Sequence, residues 1–140
     1  MTIKTTTHLN FRGEARAALD FYHAVFGGEI MAMSYADAHA VQNPDEADQI
    51  MWGQVESAAG FHVMAYDVPG AMSYDAGTIP VFVSIRGDDE AELRGYWDRL
   101  SEKAEIVQPL APATWSPLYG MLKDRFGVTW VLDVAIAYGA

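Results

Sequence analysis

Nineteen carboxylates and four histidines are the side chains in this chain best suited to catalysis or metal binding. The histidines are His8, His23, His39 and His62, and there is no cysteine. Disulfides, thiol nucleophiles and cysteine-held metals are therefore excluded, which leaves imidazole, carboxylate and hydroxyl groups. His62 alternates with Met64 and Tyr66, and in a strand the three share a face. Trp52, Gln54 and Glu56 form a second triplet of that kind. If His8, His62 and Glu56 converge, two imidazoles and a carboxylate supply an open metal site or a general base. Their spacing is not a motif, and the competing reading is a hydrogen-bonded structural histidine with Glu56 in water beside a turn. His23 lies opposite the apolar stripe of a helix and His39 lies in a polar loop, so both read as solvent-facing. Trp52, Met64, Trp115, Tyr119 and Trp130 suit an apolar pocket that stacks a planar ligand, and they suit a plain core equally well. The chain contains no phosphate-cradling Gly-rich loop, HExxH, Gly-x-Ser-x-Gly elbow or calcium loop.

The elements that must position these residues can be read in order. Thr5–Phe11 is β-prone and ends at Arg12-Gly13. Ala15, Ala18, Leu19, Tyr22, Val25 and Phe26 then recur at helical spacing, and Gly27-Gly28 stands where a left-handed cap is expected. Glu29–Tyr35 reads as a strand and residues 36–48 as a polar excursion. Gln49–Glu56 and Phe61–Tyr66 form a hairpin about Ser57-Ala58-Ala59-Gly60, and residues 67–78 form a connector. Ile79–Arg86 is the next strand. Asp88-Asp89-Glu90 opens a second helix carrying Leu93, Trp97 and Leu100, with Asp89 and Glu92 as a capping-box variant. Glu105–Leu110 is a short strand. The chain closes on a hairpin of residues 118–122 and 128–134 about Asp124-Arg125-Phe126-Gly127. Its second strand is almost wholly apolar and should be buried on both faces. Trp115 and Trp130 should be covered.

Strand, helix and three strands thus occur twice, and each half of about sixty residues is too small to bury a good core alone. The order predicts an α+β fold in which paired βαβββ modules form a curved eight-stranded mixed sheet around a cavity, with two helices outside. The expectation is one domain over 1–140, with modules at about 3–67 and 79–136. Nine basic residues against nineteen acidic give a formal charge of −10, which disfavours nucleic acid and anionic lipid as partners. No apolar run reaches the roughly 18–20 residues of a membrane helix, and the start has no signal-peptide core, so a cytoplasmic location is expected.

Several segments resemble the PhnB-like branch of the vicinal oxygen chelate superfamily, which also holds glyoxalase I, bleomycin-resistance proteins and extradiol dioxygenases. They are Leu9-Asn10-Phe11, Ala18-Leu19-Asp20-Phe21-Tyr22 with Val25-Phe26-Gly27-Gly28, Met64, Asp88-Asp89-Glu90, Tyr119-Gly120-Met121 and Asp124 through Trp130. The resemblance implies paired βαβββ modules, a homodimer and a ligand cavity. It also implies a divalent metal held by His and Glu side chains on the first, fourth, fifth and eighth strands. The corresponding places here fall at Thr7 or His8, at His62, Met64 or Tyr66, about at Pro80 and about at Val131. Proline and valine cannot ligate through their side chains, so no metal or other cofactor is expected. Relatives often carry a histidine where this chain has Trp52. A methyltransferase activity, assigned to some relatives, finds no cofactor signature here.

Two functions follow as expectations. In the first, the protein binds a small hydrophobic or planar molecule through His8, Trp52, His62, Met64, Trp115 and Tyr119. In the second, it is a metal-dependent lyase, isomerase or dioxygenase with ligands rearranged around His8, His62 and Glu56.

Overall fold

The computed structural model describes residues 3–135. The chain divides into two units, one up to Gly77 and one from Thr78 onward. The expected end of the second module at residue 136 lies outside the described residues.

The first unit contains β1 (Thr7–Phe11), α1 (Ala15–Phe26), β2 (Glu29–Ser34), β3 (Ile50–Glu56) and β4 (His62–Asp67), with a single 3-10 turn at Pro44–Glu46. Its sheet runs in the order β1-β4-β3-β2. β1 is parallel to β4 and the other pairs are antiparallel. The stripe Ala15, Ala18, Leu19, Tyr22, Val25 and Phe26 is buried, as its spacing predicts. Glu14, at the start of α1, makes no side-chain cap. Asp67, at the end of β4, does that work from a distance. One carboxylate oxygen accepts the backbone N–H of Gly13 at 2.6 Å and of Ala15 at 3.1 Å, and the other accepts that of Ile50 at 2.9 Å. A buried carboxylate on the first turn of a helix satisfies orphan donors and complements the dipole. At the other end of α1, Gly27 has φ +71° and its N–H bonds His23 O at 2.8 Å.

The second unit repeats the order with β5 (Val83–Gly87), α2 (Glu90–Leu100), β6 (Glu105–Ala113), β7 (Ser116–Lys123) and β8 (Thr129–Val134). Its sheet runs β5-β8-β7-β6. The α+β class and the βαβββ repeat are as expected, with the strands divided four and four between two mixed sheets. Asp89 caps α2 by accepting from Ala91 N and Glu92 N. β8 is buried from Thr129 to Asp133. The closing turn is held by Asp124, which accepts from Phe126 N, Val128 N and, at 2.8 Å, the Trp130 indole.

Most strand ends lie one or two residues from the sequence expectation, and three differences are larger. Residues 79–82 are not strand, and Ile79, Val81 and Phe82 are exposed. Pro80 lacks the N–H that a ladder needs there. β6 runs three residues beyond Leu110, with register shifts that accommodate Pro109 and Pro112 on an edge strand. Trp130 is fully buried, whereas Trp115 is 54% exposed at the β6–β7 turn. No helix among the described residues is long and apolar enough to cross a membrane.

Candidate functional site

Within each unit one sheet face meets the helix and the other does not. In the first unit a Cβ at Gly53 would strike the Leu19 side chain, so Gly53 faces α1 and its neighbours Trp52 and Gln54 face away. Strand register then fixes the residues of the open face. Met31, Gln54, Met64 and His8 lie in one row across the four strands. Glu29, Glu56 and His62 lie in the next. On the other side of the central row, Met33 pairs with Trp52 and Tyr66 with Asn10.

The rows differ in chemistry. The Trp52 indole N–H donates to Met64 Sδ at 3.3 Å, which fixes a half-buried ring beside a thioether. His8 packs edge-on against Tyr66 with centroids 5.0 Å apart, and its Nδ1 lies 3.1 Å from Asn10 Oδ1. With Nδ1–H donating to that oxygen, Nε2 is the bare nitrogen of a neutral ring. The connector returns to this face: the Tyr66 hydroxyl lies 3.7 Å from Met72 Sδ, and Arg12 donates to the carbonyls of Val68, Pro69 and Met72. The Tyr74 hydroxyl donates to Asn10 O. Met72 is thereby held beside the Tyr66–His8 pair.

His62 is engaged on both sides. Its Nε2 lies 2.8 Å from Gln54 Oε1, and its Nδ1 lies 3.2 Å from Thr6 Oγ1 and 3.3 Å from Glu56 Oε2. Lys4 Nζ approaches the same Glu56 oxygen at 3.8 Å. With Gln54 accepting from Nε2–H, a neutral ring takes the Thr6 hydroxyl at Nδ1 and a protonated ring donates toward Glu56. The arrangement anchors the ring and leaves neither nitrogen for a ligand without exchanging a bond.

In the second unit Gly120 faces α2, since a Cβ there would fall 2.8 Å from the Trp97 ring, so Tyr119 and Met121 face away. Tyr119 is opposite Asp133 and Met121 opposite Val131. The bulged β6 leaves a groove of about 270 Å³ against β7, lined among others by Gln108, Ala111, Trp115, Tyr119 and Met121. Trp115 and Tyr119 meet edge to face at 5.2 Å.

The expected trio His8, His62 and Glu56 is only partly assembled. His62 and Glu56 meet, whereas His8 stands a row away and is turned to Asn10 and Tyr66. Among the described residues no group of three or more histidines and carboxylates is placed to hold a metal ion. The repeat tests the superfamily ligand positions directly. Phe11 O accepts from Val68 N in the first unit, and Gly87 O accepts from Ala135 N in the second. Counting back, the counterpart of His8 is Ser84, not Pro80, which precedes the strand. His8 pairs with Met64 as Ser84 pairs with Val131. One imidazole, a thioether, a hydroxyl and an alkyl group do not fit a divalent cation of that family.

Met31, Met33, Asn10, Met72, Arg86 and Asp133 border these faces without having been singled out in the sequence. The alternation of Met31 and Met33 along β2 was the available signal for that pair. Nothing local marks Met72, which reaches the face only through the fold of the connector.

The repeat and its two open faces define a glyoxalase-type fold, and the chain belongs to the Glyoxalase/Bleomycin resistance protein/Dioxygenase superfamily, whose family model matches residues 7–132. It is similar to protein PA1353 from Pseudomonas aeruginosa, with 31% identity, a TM-score of 0.82 and coverage of 95% of this chain and 98% of that one. The PhnB protein from Bacillus cereus shares the fold at 23% identity and a TM-score of 0.69, covering 95% and 100% of the two chains. A glyoxalase/bleomycin resistance protein/dioxygenase family enzyme from Burkholderia phytofirmans does so at 12% identity and 0.61, covering 93% and 98%. No curated protein matches the chain at a significant level.

Proposed function

We propose that this protein binds a small planar or hydrophobic molecule on the open faces of its sheets, without the metal site usual in its superfamily. On the first unit the contacts are His8, Trp52, His62 and Met64; on the second they are Trp115 and Tyr119. The observation that carries the reading is the Trp52–Met64 pair. An indole whose only polar atom is already bonded to a thioether presents an apolar surface of fixed orientation on a face flanked by Met31 and Met33. The polar row of Glu29, Glu56 and His62, tied to Gln54 by the His62 Nε2–Gln54 bond, borders it and supplies orientation.

The reading includes a cytoplasmic homodimer that folds as one domain per chain. Sedimentation should give twice the 15.4 kDa of the chain; a monomer at micromolar concentration removes the dimer from it. The binding itself is tested with a fused-ring aromatic probe by titration calorimetry. Trp52→Ala should weaken the affinity about tenfold or more, the order lost with a stacking ring at a binding site. Unchanged affinity in that variant counts against the first unit's face.

A further inference from the structure

We infer that the second unit's groove is built for a planar ligand carrying an acidic group, with Arg86 as the residue that receives the anion. This rests on the ligand-binding reading above and names the class of ligand.

Arg86 and Asp133 are directly paired in the parallel β5–β8 ladder, and Asp133 is paired in turn with Tyr119 across β8–β7. Arg86, Asp133 and Tyr119 therefore form one row on the face turned away from α2. The groove beside Tyr119 and Trp115 opens at the end of that row. Arg86 Nε donates to Asp133 Oδ1 at 3.2 Å, so the guanidinium leans over β8 toward the groove. Two strand spacings, about 10 Å, separate the Arg86 and Tyr119 backbones, and the Arg86 side chain, bonded to Asp133 between them, covers part of that gap. A ring system seated on Trp115 and Tyr119 with a short acidic arm spans what remains.

The sign of the recognised charge follows from exposure. The Asp133 side chain is 12% exposed, and its Oδ1 already accepts from Arg86. The Arg86 side chain is 50% exposed, and its bond to Asp133 uses only Nε, leaving the two terminal amino groups as forked donors. The charge that a ligand can reach is positive, held in place by a buried carboxylate. On a chain of formal charge −10 such a group is a local exception rather than part of a basic surface. A carboxylate is the simplest acid that this fork can take in two parallel bonds.

The test compares 2-naphthoate with its neutral isostere 2-naphthamide by titration calorimetry on the full chain. Wild type should bind the acid about tenfold or more tightly than the amide, the scale of one charge-assisted bond. Arg86→Gln should erase that preference while leaving amide affinity within about twofold, and Arg86→Lys should retain part of it. Because Arg86→Gln strips a partner from a buried carboxylate, the double variant Arg86→Gln/Asp133→Asn, which keeps a neutral pair, is run beside it. Equal binding of acid and amide by wild type overturns the assignment of Arg86 and leaves the ligand-binding reading standing. A preference that survives in both glutamine variants does the same. Binding of neither probe overturns the ligand-binding reading itself.

Discussion

Asp124 shows how much one side chain can determine. Its two oxygens take the backbone N–H groups of Phe126 and Val128 and the indole N–H of Trp130, so one carboxylate closes the turn and holds the largest fully buried ring of the second unit. Removing that acceptor strands the buried Trp130 indole N–H and two part-buried backbone N–H groups, an unsatisfied buried donor costing about 1–3 kcal/mol. Asp124→Ala should lose about 3 kcal/mol of stability, read as a lower denaturant midpoint with unchanged slope. A loss below about 1 kcal/mol would mean that water replaces the carboxylate. The composition of Asp124 through Gly127 announced the turn, but not the reach of Asp124 to Trp130. Trp115 was misread in the opposite sense: a ring expected to be covered stands at the rim of a groove, at the turn between β6 and β7. His62 was legible as sharing a strand face with Met64 and Tyr66 from their alternation. Its anchoring by Thr6, Gln54 and Glu56 required three segments to be placed in space, which a single sequence does not provide.

At the scale of elements, both helices and the hairpins were legible because apolar stripes and turn residues are local signals. What escaped was non-local. Asp67 caps α1 from 52 positions beyond Ala15, so no window of sequence shows it. The start of β5 was placed four residues early because Ile79-Pro80-Val81-Phe82 has strand composition, and that shift moved the fifth-strand ligand position from Ser84 to Pro80. Gly27-Gly28 was legible as the end of α1, yet the two glycines differ in kind. Both have positive φ, at +71° and +86°. A Cβ on Gly27 meets nothing within 4 Å, whereas one on Gly28 falls onto the Glu56 carbonyl oxygen and lies 2.7 Å from Ser57 Cα. Alanine at either site should cost about 1–3 kcal/mol in backbone strain. At Gly28 the collision with β3 should add about 1–3 kcal/mol more. Equal losses in Gly27→Ala and Gly28→Ala, measured by denaturant unfolding, would contradict this packing of the α1–β2 turn against the end of β3.

At the scale of the whole chain, titration links the two units to pH. Burial, the largest cause in each case, raises the phenols of Tyr35, Tyr74 and Tyr96 above their ordinary value of 10.0; nearby carboxylates add to the rise, and at Tyr35 the Tyr66 phenol does so too. A group that holds its proton more tightly when folded contributes stability that is fully present below the unfolded value and lost as pH rises through the folded one. Stability with respect to these tyrosines should therefore be flat up to about pH 9 and fall from about pH 10 upward. Chemical denaturation across that range checks it, and a constant midpoint to pH 11 would contradict it. The formal charge of −10 argues against polyanionic partners for the chain as a whole, while the sheet faces away from the helices carry thioethers and rings bordered by a few charged groups, Glu29 and Glu56 on one and the Arg86–Asp133 pair on the other. The class of fold was legible in the sequence because the βαβββ order repeats. The faces were legible only as alternating triplets, since which side a helix covers depends on packing.

The central claim is that these open faces bind a planar apolar molecule. The most direct measurement is the set of amide and indole N–H resonances of the protein titrated with 2-naphthamide. Binding there should give saturable shifts at the Trp52 and Trp115 indoles and at the Met64, Tyr66, Tyr119 and Met121 amides, with the buried Trp130 indole unmoved. Shifts that never saturate, or that gather on the outward surfaces of α1 and α2 while the Trp52 and Trp115 indoles stay still, would contradict it.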